Sequence, residues 1–196
     1  MSKKSFQFKK NKVASNNRWN IMITIVTFFL SIGINLLSSV LLKEASLFFA
    51  FLALLFIIFI GVLFDIIGLS VATATEAPFH SLSSRRVAGA KEAISLIRSA
   101  QQISNLCNDV VGDIAGIISG ASSAMIAVSI ASFVGTRYTT PISLALTALA
   151  AATTVGGKAV GKGIALTYNN SIMYMIGKMW YSIKFPFKKL FKRRSV

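Results

Sequence analysis

Long uncharged runs, separated by short charged stretches, set the pattern of this chain. Ile21–Leu42 continues for 22 residues without a charge. A bilayer core takes about 20 apolar residues of helix, so the run predicts a spanning helix. Trp19 stands where an interfacial aromatic anchor belongs. A cleaved signal peptide would carry an apolar core of about 7–15 residues, so a retained anchor is the better reading. Lys43 and Glu44 punctuate the sequence, and a second run starts at Ala45. Asp65 interrupts that run, which resumes to Thr75. It is long enough to span with tilt. Ile114–Thr136 forms a third run of 23 residues, and Tyr138–Gly157 a fourth of 20. Pro141 suits the first turn of that fourth helix, and Gly156 and Gly157 are expected to end it.

Two segments have another texture. In 85–106, Val87, Ala90, Ile94 and Ile97 recur at helical spacing among Arg85, Arg86, Lys91 and Arg98. This predicts a helix or helical hairpin lying at the membrane surface. Gly163–Gly177 is uncharged, but Thr167, Tyr168, Asn169, Asn170 and Ser171 occupy its middle, which a lipid-exposed span should not carry. Beyond it, Trp180, Tyr181, Phe185, Phe187 and Phe191 alternate with Lys178, Lys184, Lys188, Lys189 and Lys192. Aromatics mixed with cations suit an interfacial C-terminal helix on anionic lipid. The same mixture can bind RNA, but beside four spans the membrane is the better partner, and no nucleic acid is expected.

Composition agrees. Mean hydropathy is +0.67, 54% of residues are apolar and only 14% are charged, against about 25% charged in a soluble domain. The formal charge is +15, and its distribution orients the chain. With four spans and the N-terminus inside, residues 1–20, 76–113 and 158–196 hold nineteen of the 21 Lys and Arg. The outer loops hold only Lys43 and Arg137. The positive-inside rule thus predicts a multi-pass plasma-membrane protein with both termini cytoplasmic. A fifth span at 163–183 would place the basic tail outside.

The expected fold class is an all-α membrane protein: about four transmembrane helices, a cytoplasmic juxtamembrane hairpin and an interfacial C-terminal helix. Its parts are a basic N-terminal segment (1–20), a first helix (21–42), a transmembrane domain (45–185) and a basic tail (186–196). Gly112, Gly116 and Gly120 share one helical face, where small residues let helices approach closely, and this suggests a homodimer.

Nothing in the chain suggests an enzyme. It has no P-loop, nucleophile elbow, HExxH or paired-cysteine site. Cys107 is the one cysteine and His80 the one histidine, and a lone Cys is more often a packing residue than a nucleophile. Polar residues at membrane depth are the candidates. Asp65 lies inside the second span, with Thr73, Thr75 and Glu76 at its end. Asn105, Asn108, Asp109 and Asp113 cluster where the third span opens. Such oxygens suit a hard cation such as Mg²⁺, and an ionisable residue in the membrane is by default a functional candidate. Asp109 and Asp113 read equally well as solvated first-turn residues that favour the helix dipole.

Those residues resemble the transmembrane domain of the CNNM/CorB family of magnesium transport proteins. The family's S-x-S-E motif at a span end is matched by Thr73-Ala74-Thr75-Glu76, and its A-L-F-S-L-S stretch by Ala77-Pro78-Phe79-His80-Ser81-Leu82-Ser83. Its G-N-x-L-x-N motif is matched by Cys107-Asn108-Asp109-Val110-Val111-Gly112, and its G-E-x-x-P-K motif by Gly157-Lys158-Ala159-Val160-Gly161-Lys162. The resemblance implies a divalent-cation transporter with Mg²⁺ as bound or transported ion, and a site built from Thr73, Thr75 and Asn108, to which the neighbouring carboxylate of Asp109 is added as a candidate ligand. Three departures stand out. Lys158 replaces the family's Glu and Gly161 its Pro, and the CBS-pair domains that follow in the family are not in this sequence. An ammonium would repel a divalent cation or take its place. The alternative implied is therefore a degenerate, non-transporting member acting as a membrane partner or regulatory subunit. Lys158 is expected to pair with Glu76 or Asp109.

Overall fold

The computed structural model describes residues 17–44 and 46–192. The basic residues before Asn17 and the last four residues of the tail lie outside them. The described chain is helical, with no strand. α1 is Asn17–Glu44, α2 Leu47–Thr73, α3 Ala77–Ser84, α4 Ala90–Arg98 and α5 Ala100–Asn105. A π-helical segment, Leu106–Gly112, links α5 to α6 (Asp113–Val134), and α7 covers Thr139–Lys192.

Among the described residues, three helices are long and apolar enough to cross a membrane: α2, the composite Ala100–Val134, and Thr136–Lys184. α1 follows the first uncharged run, but its described apolar stretch is the shorter Ile21–Leu36. α2 is the hub of the bundle. Its buried positions Ala50, Leu54, Ile58, Gly61, Asp65 and Gly68 advance by three or four residues and form one stripe. Ala50, Leu54 and Ile58 join Ile126 of α6 and Ala150 of α7 in one apolar core. The opposite flank is lined with exposed Phe48, Phe49, Phe56 and Phe59, as a lipid-facing surface would be.

Residue contacts fix the helix directions. Gly61 of α2 meets Ala115 of α6, while Gly68 meets Asn108 before α6, so α2 and α6 are antiparallel. Val62 and Ile66 of α2 meet Gly157 and Gly161 of α7, so these two are parallel. Glycine makes that seam possible. A methyl group on Gly161 would come within 2.8 Å of Ile66 Cγ1, and one on Gly157 within 2.9 Å of Val62 Cγ2. Small residues four apart let helix backbones approach and gain dispersion contacts without a hydrophobic driving force.

The seam corrects one expectation. Gly156 and Gly157 do not end the fourth helix. α7 continues to Lys192, 54 residues in all, broken only by non-helical torsions at Tyr168 (φ −115°, ψ 21°). Close packing against α2 outweighs the roughly 1 kcal/mol that a glycine costs inside a helix. The expected interfacial C-terminal helix is therefore the distal part of α7. The third span likewise starts earlier than Ile114, because α5 and the π segment feed into it without a break.

At the C-terminal end of α2 the chain turns sharply. Ala74 is extended (φ −68°, ψ 150°), and Pro78 lies in the first turn of α3. Proline is tolerated there because that N–H has no helical partner. α4 forms as its apolar spacing predicts. It buries Ala90, Ala93 and Ile94 against Phe79, Val71 and Met173 of α3, α2 and α7. Gly89 (φ 87°) starts α4 and lies so close to α7 that a methyl on Gly177 would reach within 2.5 Å of the Gly89 carbonyl.

Candidate functional site

One charged pair lies inside the bundle. Asp65 Oδ1 of α2 is 3.6 Å from Lys158 Nζ of α7, with side chains only 12% and 23% exposed. The α2–α7 seam positions both, because Lys158 follows Gly157 and Asp65 precedes Ile66. Gly112 closes the third side. A methyl there would lie 3.3 Å from Lys158 Nζ and 3.5 Å from Asp65 Oδ1, so bare backbone covers the pair. Asp65 is eight residues from the end of α2, roughly 12 Å along its axis at 1.5 Å per residue. An unpaired charge at that depth would be costly, and each partner here offsets the other's desolvation.

The π segment shapes the next turn. Such bulges are rare and concentrate at functional positions. Here the bulge presses Asn108 onto the bare Gly68 of α2. Asn108 Oδ1 is buried without a hydrogen-bond partner, and so is Ser70 Oγ. Asn108 Oδ1 is an acceptor in need of a donor or cation, and the Ser70 hydroxyl can either donate or accept, since buried polar atoms are generally satisfied.

The residues expected to form one site are distributed over three places. Asn108 lies in the bundle interior, one turn from Gly112. Thr73 and Thr75 belong to the cap of α2. Thr73 Oγ1 donates to its own helix at Leu69 O (2.8 Å), and Asn169 Nδ2 donates to Thr73 O (3.1 Å). The Thr75 backbone N–H donates to Asn170 Oδ1 (3.3 Å). Asp109 faces α1 instead, lining a cavity with Thr24, Thr27 and Asn105.

Sequence reasoning missed Asn169 and Asn170. They were the anomaly that made 163–177 look unfit to span. Their role is to satisfy backbone groups left open where α2 ends, at the kink beside Tyr168. The available signal was two adjacent amides within an otherwise helical pattern. The expected pairing of Lys158 with Glu76 or Asp109 is also corrected. α7 runs parallel to α2 in a register that sets residue 158 level with 62–66, well before Glu76. Glu76 instead accepts from Arg98 Nε and Nη2 (3.1–3.3 Å), and His80 Nε2 lies 3.1 Å from it. The hydrogen bonds from Arg98 hold the Glu76 carboxyl below its usual range, against a smaller opposing effect of desolvation, and His80 adds to the lowering.

Among the described residues no group of three or more His, Cys, Asp or Glu is placed to hold a metal ion. The arrangement defines a class: an all-helical protein with membrane-compatible helices packed around a buried carboxylate–ammonium pair. No protein-family model, curated protein or solved structure matches the chain.

Proposed function

We propose that this chain is a CNNM/CorB-like membrane bundle in which its own lysine fills the place of an ion, and that it acts as a non-transporting partner or regulatory subunit. The observation that carries this reading is the 3.6 Å contact between Lys158 and Asp65. The position where the resemblance implies a cation-binding carboxylate holds a tethered ammonium, already neutralised by the buried carboxylate beside it. The separation of Asp109 from Asn108 supports the same reading. In a cell the protein sits in the plasma membrane with both termini cytoplasmic, a placement supported by the 19-to-2 division of Lys and Arg.

Divalent-cation transport is the second reading. It is favoured by the unpartnered Asn108 Oδ1 and Ser70 Oγ, since neutral oxygens of this kind coordinate Mg²⁺. The two readings separate on Lys158→Glu, which sets a second carboxylate beside Asp65. Purified parent protein should show no saturable thermal stabilisation by Mg²⁺, and Lys158→Glu should acquire it in the millimolar range. Saturable stabilisation of the parent, together with Mg²⁺ flux into proteoliposomes, would establish transport and remove the partner reading.

A further inference from the structure

A second site lies between α1 and α6, away from the Asp65–Lys158 pair and independent of the reading built on it. The two helices run parallel and leave a trough with two neighbouring chambers that share Phe28 as a wall. The chamber near the start of both helices has a volume of about 540 Å³ and is lined by Thr24, Thr27, Asn105 and Asp109 with Ile23 and Val110. The chamber toward their far ends is about 560 Å³ and is walled mainly by Phe28, Ile32, Leu36 and Met125. Asn35 also borders it, but donates its amide to Ser31 O of its own helix (3.0 Å). Each chamber falls within the roughly 300–1,000 Å³ of small-ligand clefts.

The trough thus grades from a more polar end to a more apolar one, where Ser31, Asn35 and Ser122 lie among Phe28, Ile32, Leu36, Ala121 and Met125, along the direction in which a lipid lies beside a spanning helix. Its charge selects the head. Among the described residues, Asp109 is the one ionisable residue bordering the trough. In a chain of net charge +15, it has no ion-pair or hydrogen-bond partner among the described residues. A carboxylate at headgroup depth repels phosphatidylglycerol and attracts an ammonium. A primary ammonium also donates hydrogen bonds, which a choline cannot, and charge-assisted bonds are the stronger kind. The Thr27 hydroxyl and the Asn105 amide beside it can donate to phosphate or ester oxygens.

We infer that this trough is a binding site for an ethanolamine phospholipid, with the ammonium on Asp109 and an acyl chain running past Phe28 toward Met125. The site would fasten α1 to the bundle through a lipid where protein contacts are sparse.

The test uses the full chain, delipidated in detergent and titrated separately with dioleoyl phosphatidylethanolamine, phosphatidylcholine and phosphatidylglycerol. Thermal stability and native mass spectrometry provide the readouts. Saturable binding of the ethanolamine lipid is expected, about tenfold tighter than the other two, the equivalent of one charge-assisted hydrogen bond. Asp109→Asn should abolish that preference, and Asp113→Asn should leave it intact. Met125→Trp, which fills the apolar chamber, should weaken all three lipids together. Equal binding of the three lipids, as for annular lipid only, overturns the proposal. So does a preference for phosphatidylglycerol, or an ethanolamine preference that survives Asp109→Asn.

Discussion

The α2–α7 seam and the α1–α6 trough are both contacts between long apolar helices, yet they are built differently. At the seam, Gly157 and Gly161 let Val62 and Ile66 sit directly on backbone. At the trough, Phe28, Ile32 and Met125 hold the helices apart, and α1 leaves Phe28, Phe29 and Ile32 largely exposed. Hydropathy is similar in kind at both places. Helix association in lipid gains nothing from apolarity alone, because the tails are as apolar as leucine, so side-chain size decides how closely two helices meet.

The comparison can be broken by exchanging sizes. Gly161→Leu should drive a side chain into Ile66, with a methyl already at 2.8 Å. Overpacking of this kind costs about 1–3 kcal/mol, and the upper end is expected where backbone meets side chain. Ile32→Ala, on a residue 44% exposed, should change thermal unfolding in detergent by less than about 0.5 kcal/mol. Equal effects at the two positions would erase the distinction between a packed seam and a loose flank.

A smaller effect is expected at the cap of α2. Asn169→Ala removes the donor to Thr73 O and should cost about 1 kcal/mol. Hydrogen exchange should localise the loss to the last turn of α2 and the kink at Tyr168. Exchange that rises uniformly over the whole bundle instead would show that Asn169 does not act locally.

The smallest effect is a pH dependence at the exposed Glu76 cluster. Its carboxyl is held below the ordinary value of 4.5, so the folded form keeps the charged state more readily than the unfolded chain does. The linked stability is fully present above pH 4.5 and is lost as pH falls through the lowered folded value. A thermal-unfolding profile should therefore decline below pH 4.5 in the parent and flatten in Glu76→Gln. High salt should shrink the difference, since exposed pairs are screened.

Much of this architecture was readable from residue order, because a run such as Ala45–Phe64 has few other uses and the spacing of Val87, Ala90, Ile94 and Ile97 marks the helix α4, of which Ala90 and Ile94 are buried. The errors fell where tertiary register decides. Gly157 looks like a helix end by propensity and is a packing surface by context. Asn169 and Asn170 look unfit for a helix until the open end of α2 is beside them. Asp65 was identifiable as a buried group wanting a partner. That Lys158 would be the partner was not, because the choice depends on whether α7 runs parallel to α2 and at what offset. Asn108 and Asp109 are adjacent in sequence but face opposite neighbours, a separation that a motif cannot convey.

The kink at Tyr168 divides α7 into two arms. At 1.5 Å per residue its 54 residues make roughly 80 Å of helix measured along both arms of the kink, far more than the roughly 30 Å of a hydrocarbon core. The interior ammonium and the Gly177 contact with α4 thus sit on two helical arms joined at the kink beside Tyr168. Gly177 lies nine residues past that kink, an arm of roughly 14 Å. A swing of about 10° would carry it roughly 2 Å, and the contact with Gly89, where a methyl would already lie 2.5 Å from the carbonyl, has no slack to absorb the motion. α4, which carries Arg98 of the clasp on Glu76, is thus packed against the distal arm of α7, beside the turn where α2 leaves the bundle.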